Sequence, residues 1–261
     1  MGGVELRRTF DGVAATYHQI RPRYPEAVFD ELFALLPARP ELVEVGPGTG
    51  QATTDLLARG ARVTAVELGP SLAAVLRESN SSRDLEVIVG DFEAVDLGDR
   101  RFDGVVSTCA YHWISPAAQV DRPAALLRPG GVVGIVTLVQ VTSPDDHGYF
   151  AASQAIYERY GEPHTGPLPP ERDGAVPEID ATIRADERFV EVTHRQWDWN
   201  QTYTAAQYRM LVESYSGTQM MEPDRRTAFL DDIEAFVESD FGGSVTRPLV
   251  VTLTTALLRS I

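Results

Sequence analysis

From residue 42 to residue 138, short apolar runs alternate with helix-like patterns, and this rhythm confines the chain to a small set of folds. Residues 42–45 are mainly apolar and run straight into Gly46-Pro47-Gly48-Thr49-Gly50, after which residues 51–58 read as a helix ended by Gly60. The pattern repeats as strand 62–66, helix 71–78, strand 85–89 and strand 102–107. A helix around 116–127, the turn Pro129-Gly130-Gly131 and the very apolar strand 132–138 follow. Ahead of them, Val28, Leu32, Leu35 and Leu36 mark a helix that Pro37 and Pro40 stop. Near-continuous apolar strands separated by helices predict a parallel sheet covered on both faces.

The second half changes character. Residues 143–186 carry many Pro, Gly and charged residues around one amphipathic helix with Phe150, Ile156, Tyr157 and Tyr160, which reads as an insertion. Residues 189–199 alternate like a half-exposed strand, and residues 245–255 read as another. Between them lie two helical patterns, one with Tyr208, Leu211, Val212 and Tyr215, the other with Phe229, Ile233, Phe236 and Val237. The expected organisation is one domain over 1–261: an N-terminal segment 1–30, a core over 40–140, and insertions at 141–188 and 203–242.

Composition closes several routes. All 23 residues in the Lys plus Arg count are Arg. A P-loop, a protein kinase, a pyridoxal-phosphate Schiff base and the tyrosine-lysine pair of short-chain dehydrogenases all need a lysine, so each is excluded. The 38 acids give a formal charge of −15, which repels phosphate backbones and argues against nucleic acid as a partner. Cys109 is the only cysteine, so neither an intrachain disulfide nor a multi-cysteine zinc cluster can form. A reducing cytoplasm is the expected location. The longest apolar-rich run, 132–141, is about half a membrane span, and no signal-like or myristoylation pattern opens the chain, so no membrane partner is expected. His18, His147, His164 and His194 show no zinc spacing, and no metal is expected.

The glycine turn after the first strand lets a ligand approach the backbone, and the following helix offers free N–H groups there. Its spacing, Glu44-x-Gly46-x-Gly48-x-Gly50, places Gln51 where the dinucleotide fingerprint has its third glycine. Glu67 ends the second strand, where a carboxylate can accept from two vicinal hydroxyls. Gly90-Asp91-Phe92 follows the third strand, Arg101-Phe102-Asp103-Gly104 opens the fourth, and Leu127-Arg128-Pro129-Gly130-Gly131 leads into the fifth. Asp91 also suits the cap of a short turn through Glu93.

Taken together, these motifs resemble those of class I S-adenosylmethionine-dependent methyltransferases. That resemblance implies an α/β, Rossmann-like sheet of seven strands with the last strand antiparallel and helical lid insertions; residues 245–255 are the candidate for that strand. It also implies S-adenosylmethionine as cofactor and S-adenosylhomocysteine as product. Glu44, Gly46, Gly48, Gly50 and Leu68 then border the cofactor, Glu67 takes the ribose, and Asp91 and Phe92 take the adenine. Residues 10–25, with Tyr17, Arg21 and Tyr24, resemble the lid segment of the type 11 small-molecule group, which includes trans-aconitate and ubiquinone-pathway enzymes. By that resemblance Tyr17 closes over the cofactor and Arg21 reaches its methionine carboxylate, a match of guanidinium fork to carboxylate. The acceptor implied is a small molecule.

Tyr111-His112-Trp113 follows the fourth strand and resembles a His-Trp pair common in this group. His112 suits a catalytic base, an orienting role or a structural one, and Trp113 suits an aromatic wall of the substrate pocket. Two alternatives stay open: an NAD(P)-binding oxidoreductase, which also places an acid after its second strand, and a protein of the same fold that binds the cofactor without transferring methyl.

Overall fold

The computed structural model describes residue 20 and residues 23–161, 169–175 and 178–260. The expectations for Tyr17, Arg21, His18 and His164 lie outside the described residues.

Strand β1 (Glu41–Val45) starts the sheet, and helix α2 (Gln51–Ala58) follows the glycine turn. Helix α1 (Glu26–Phe33) precedes both, with Val28, Phe29 and Leu32 buried. The next elements are β2 (Arg62–Glu67), α3 (Pro70–Ser79), β3 (Leu85–Val89), β4 (Phe102–Thr108), α4 (Pro116–Leu126) and β5 (Leu127–Gln140). After these come α5 (Tyr149–Arg159), α6 (Glu178–Arg184), β6 (Phe189–Asp198), β7 (Gln201–Thr204), α7 (Ala205–Glu213) and α8 (Ser216–Gln219). The chain closes with α9 (Pro223–Asp240), β8 (Ser244–Arg247) and β9 (Leu249–Leu258).

The main sheet has seven strands in the order β3-β2-β1-β4-β5-β9-β6. Strands β1 to β5 pair in parallel, and β9 runs antiparallel to both β5 and β6. The β5–β9 register is unbroken from Val132↔Leu257 to Gln140↔Leu249. Period-2 alternation divides the buried side chains between two faces. Val43, Val105, Val133 and Ile135 meet α4 and α6 on one face, while Leu42, Val106, Val132 and Val136 meet α1 and α2 on the other. Each fully buried aliphatic side chain contributes ~1.5–3 kcal/mol, so this double-sided core holds the parallel strands together without hairpins.

The structure redraws three sequence-based boundaries. Residues 245–255 are not one strand: Pro248 has no N–H to donate, and the chain changes sheets there, with β8 pairing with β7 in a two-stranded ribbon and β9 entering the main sheet. The turn at Pro129-Gly130-Gly131 lies inside β5, where the register with β4 shifts between Phe102 and Gly104. The stretch 143–186 also divides: Ile179 and Ile183 of α6 pack into the sheet core, whereas Tyr149, Ile156 and Tyr157 of α5 join a separate cluster with Tyr208, Leu211, Phe229 and Ile233 from α7 and α9. Tyr149 is the centre of that cluster, with its ring edge-on to Phe150, Tyr208 and Phe241 at centroid separations of 5.3, 5.1 and 5.2 Å. No helix among the described residues is long and apolar enough to cross a membrane.

Candidate functional site

The carboxyl ends of β1, β2, β3 and β4 open on one cavity of about 380 Å³. It lies where the strand order reverses between β1 and β4, the usual ligand position in an open α/β sheet. Gly46, Gly48, Glu67, Leu68, Asp91, Phe92, His112 and Trp113 all line it, so eight of the residues expected from sequence converge there.

The glycine turn is shaped by local necessity. Gly46 has φ +64°, and a Cβ on it would sit 2.5 Å from that of Ala110. Gly50 caps α2 with φ +96°, and a Cβ there would meet Leu76 at 2.5 Å. Only glycine meets both demands without strain. Glu67, 6% exposed, holds the turn from the neighbouring strand: Gly48 N–H donates to its Oε2 at 2.9 Å and Gly69 N–H to its Oε1 at 2.8 Å. One carboxylate thus braces the loops after β1 and β2.

Glu44 and Gly50 stand back from the cavity, which corrects the expectation that both border it. Strand alternation turns Glu44 beneath the loop, where it is fully buried and its Oε2 accepts the Thr53 hydroxyl at 2.7 Å. Its Oε1 has no partner among the described residues. Burial, the largest cause, together with the negative charge of Glu67, raises the Glu44 carboxyl from 4.5 to about 7 against the opposing Thr53 hydrogen bond.

Asp91 Oδ1 accepts the Glu93 N–H at 2.9 Å, closing the turn after β3. Phe92 is buried beside it, its ring covered by Arg122 at 5.3 Å and its carbonyl accepting from Arg122 Nε at 3.0 Å. The Ser107 hydroxyl donates to the Val45 carbonyl at 2.8 Å and ties β4 to β1 under the cavity floor. Cys109 then takes φ +55°, an uncommon conformation for a residue other than glycine, and its N–H donates to Val136 O at 2.9 Å. A short 3-10 turn, Tyr111–Trp113, follows. Tyr111 is buried and donates its hydroxyl to Gln119 O at 2.7 Å, which anchors the turn, while His112 is exposed and packs against Trp113 with centroids 4.8 Å apart.

The far wall was not found by sequence reasoning. Gln140 at the end of β5, Tyr215 after α7, Arg247 at the end of β8 and Leu249 complete the cavity. Arg247 Nη1 donates to the Tyr215 hydroxyl at 2.7 Å and Nη2 to Gln140 Oε1 at 2.6 Å. The signal that could have revealed this wall is an arginine set directly before the proline that breaks an otherwise apolar C-terminal run.

A second cavity, about 390 Å³, lies at the opposite edge of the sheet and is rich in arginine. Arg62 and Arg128 pair there with Glu41, and Arg100 with Glu86. These pairs and the amino ends of the strands make it a charged rim rather than a ligand site. Among the described residues, no group of three His, Cys, Asp or Glu side chains is arranged to hold a metal ion.

A seven-stranded sheet in this order with one reversed strand, and a cavity at the β1–β4 switch point, define the class I methyltransferase architecture. An NAD-type Rossmann sheet, all parallel in the order 3-2-1-4-5-6, has no place for β9, and the oxidoreductase alternative falls with it. Comparison with known proteins agrees. The model of a family described as "Methyltransferase domain" matches residues 43–135. An uncharacterized methyltransferase of Mycobacterium tuberculosis is 27% identical over 256 residues, covering 98% of this chain and 96% of that protein. The malonyl-[acyl-carrier protein] O-methyltransferase of Enterobacter lignolyticus is 30% identical over 137 residues, 51% of this chain and 54% of its own length. Among solved structures, one assigned as a type II methyltransferase from Anaeromyxobacter dehalogenans shares the fold, with TM-score 0.58 and 22% identity over 92% of this chain and 97% of that one. These similarities, a methyltransferase-domain match over 43–135 and a shared fold, support a class I S-adenosylmethionine-dependent methyltransferase.

Proposed function

We propose that the chain transfers a methyl group from S-adenosylmethionine to a small-molecule acceptor in the cavity at the carboxyl end of the sheet. The observation that carries this reading is the geometry of Glu67, whose two oxygens each accept one backbone N–H across the glycine turn and face the same cavity as Asp91. An ionised carboxylate is an acceptor with two oxygens, a match for the vicinal hydroxyls of a ribose. Asp91 keeps an oxygen beyond the one that closes its turn, suited to an adenine amino group, with Leu68 and Phe92 as apolar walls. Gly46 and Gly48 bring bare backbone to the cavity, and a Cβ at Gly46 would clash with that of Ala110 on the same wall. Tyr17 and Arg21 are proposed to close over this end.

Bound there, S-adenosylmethionine supplies a methyl on a cationic sulfur; the carbon–sulfur electrons stay on sulfur as an acceptor lone pair takes the methyl, leaving S-adenosylhomocysteine. The protein's task is alignment, a contribution of up to ~7–11 kcal/mol when donor and acceptor are held in line. The cavity size, the closing wall of Tyr215 and Leu249 and the formal charge of −15 all favour a small acceptor over nucleic acid. By this reading His112, exposed at the rim beside Trp113, receives the proton when the acceptor must lose one. A cytoplasmic location suits the single cysteine.

Calorimetry with S-adenosylhomocysteine and NAD tests the donor. Binding of S-adenosylhomocysteine alone is expected, and binding of NAD alone would sink the reading. A metabolite extract supplied with methyl-labelled donor is expected to yield a labelled small product, and an unlabelled extract would count against transfer. With the acceptor so found, wild-type transfer is expected to rise with pH through the histidine range and His112→Ala to lose that limb; an identical profile at an equal rate would exclude a base.

A further inference from the structure

Resting on the methyl-transfer reading of this cavity, we propose that Arg247 anchors an oxyanion of the acceptor, a carboxylate or a phosphate, on the β5–β9 side of the site. The guanidinium is half-buried in the cavity wall and lies 5.9 Å from the ring centroid of Tyr215. No carboxylate among the described residues forms an ion pair with it, in a chain where most described arginines at the surface have one. A guanidinium withdrawn from water without a counter-ion is costly unless a ligand supplies one.

The donor count points the same way. Arginine carries five N–H donors; Tyr215 and Gln140 take two, and three remain. Nε is shielded from solvent and has no partner among the described residues. The hydroxyl of Tyr215 and the amide of Gln140 hold the two Nη groups in a fixed plane, which leaves a preset fork for a planar or tetrahedral oxyanion. The position fits an acceptor rather than the donor. Glu67 and Asp91 stand on the β2–β3 side of the cavity, while Gln140 and Leu249 stand on the β5–β9 side, with His112 and Trp113 after β4 between them. The acid-rich donor wall would repel an acceptor anion, so the half-buried guanidinium opposite it also fixes which way round the acceptor lies.

The test is calorimetry on the full chain, with and without S-adenosylhomocysteine, using phenylacetate, succinate and phenyl phosphate as probes and phenylacetamide as the neutral control. Wild type is expected to bind at least one anion saturably and the amide at least tenfold more weakly. Preference for phenylacetate or succinate assigns a carboxylate, and preference for phenyl phosphate assigns a phosphate. Arg247→Leu should lose at least tenfold in anion affinity and Arg247→Lys should recover part of it, with S-adenosylhomocysteine affinity within twofold of wild type in both. Arg247→Gln, checked by thermal unfolding, stands in where the leucine variant fails to fold. Equal binding of amide and acids, no binding by any anion, or unchanged anion affinity in the variants would overturn the assignment. Failure of wild type to bind S-adenosylhomocysteine would instead count against the methyl-transfer reading, and the anion measurements made without it would still decide the role of Arg247.

Discussion

Glu67→Ala is expected to weaken S-adenosylhomocysteine binding about a hundredfold. The carboxylate lies at a crossing of two duties: it accepts Gly48 N–H and Gly69 N–H, and by our reading it also accepts the ribose hydroxyls. Hydrogen bonds to a charged group contribute ~1.5–3 kcal/mol each, so losing two at the lower value is ~3 kcal/mol, about two orders of magnitude in Kd. The bracing duty alone would also loosen the glycine turn, so affinity for one ligand does not separate the two. Adenosine and 2′,3′-dideoxyadenosine separate them. Wild type should prefer adenosine strongly, and Glu67→Ala should show little preference, because the partner of the hydroxyls is gone. The same preference in both proteins would leave Glu67 a brace and refute the ribose assignment. Glu67→Gln should fall between, since one amide face donates where the backbone N–H requires an acceptor.

The parts of this site that could be read in the sequence are those written within a few residues of a strand end. Gly46, Gly48, Glu67, Asp91 and His112 each follow or close a strand, so a correct strand assignment already places them at the same edge of a parallel sheet. Glu44 defeats that logic because alternation along a strand decides which side a residue faces. Two residues before Gly46 it points under the loop to Thr53, and it is not on the cavity wall. Gln140, Tyr215 and Arg247 were beyond reach for another reason. They come from three distant segments and meet only because β8 leaves the line of β9 at Pro248 to pair with β7. Strand propensity is high on both sides of Pro248, and although the proline marks a break, nothing local says which partner the four residues before it choose. Likewise α6 carries too few residues to announce itself within a Pro- and Gly-rich stretch, although Ile183 is fully buried against the sheet.

Glu44→Gln is expected to gain about 3 kcal/mol of stability relative to wild type between pH 4.5 and pH 8. The Glu44 carboxyl has an ordinary value of 4.5 and is raised to about 7 in the folded protein, chiefly by burial. Below pH 4.5 it is protonated in folded and unfolded chains alike, and it contributes no pH dependence. Between 4.5 and about 7 the unfolded chain releases the proton while the folded one keeps it, so wild type loses ~1.36 kcal/mol of stability per pH unit from this group. Above about 7 both forms are ionised and the loss is constant. Glutamine keeps a carbonyl oxygen for the Thr53 hydroxyl and does not titrate, so any fixed cost of the substitution appears equally at every pH. Urea unfolding of both proteins at several pH values isolates the difference, because groups common to the two cancel. A difference that stays constant from pH 4.5 to pH 8 would show that Glu44 is ionised across this range and that its unpartnered oxygen is satisfied in solution. A difference that grows and then levels near pH 7 would establish a neutral acid beneath the glycine turn, leaving Glu67 as the charged carboxylate of the pair facing the cavity.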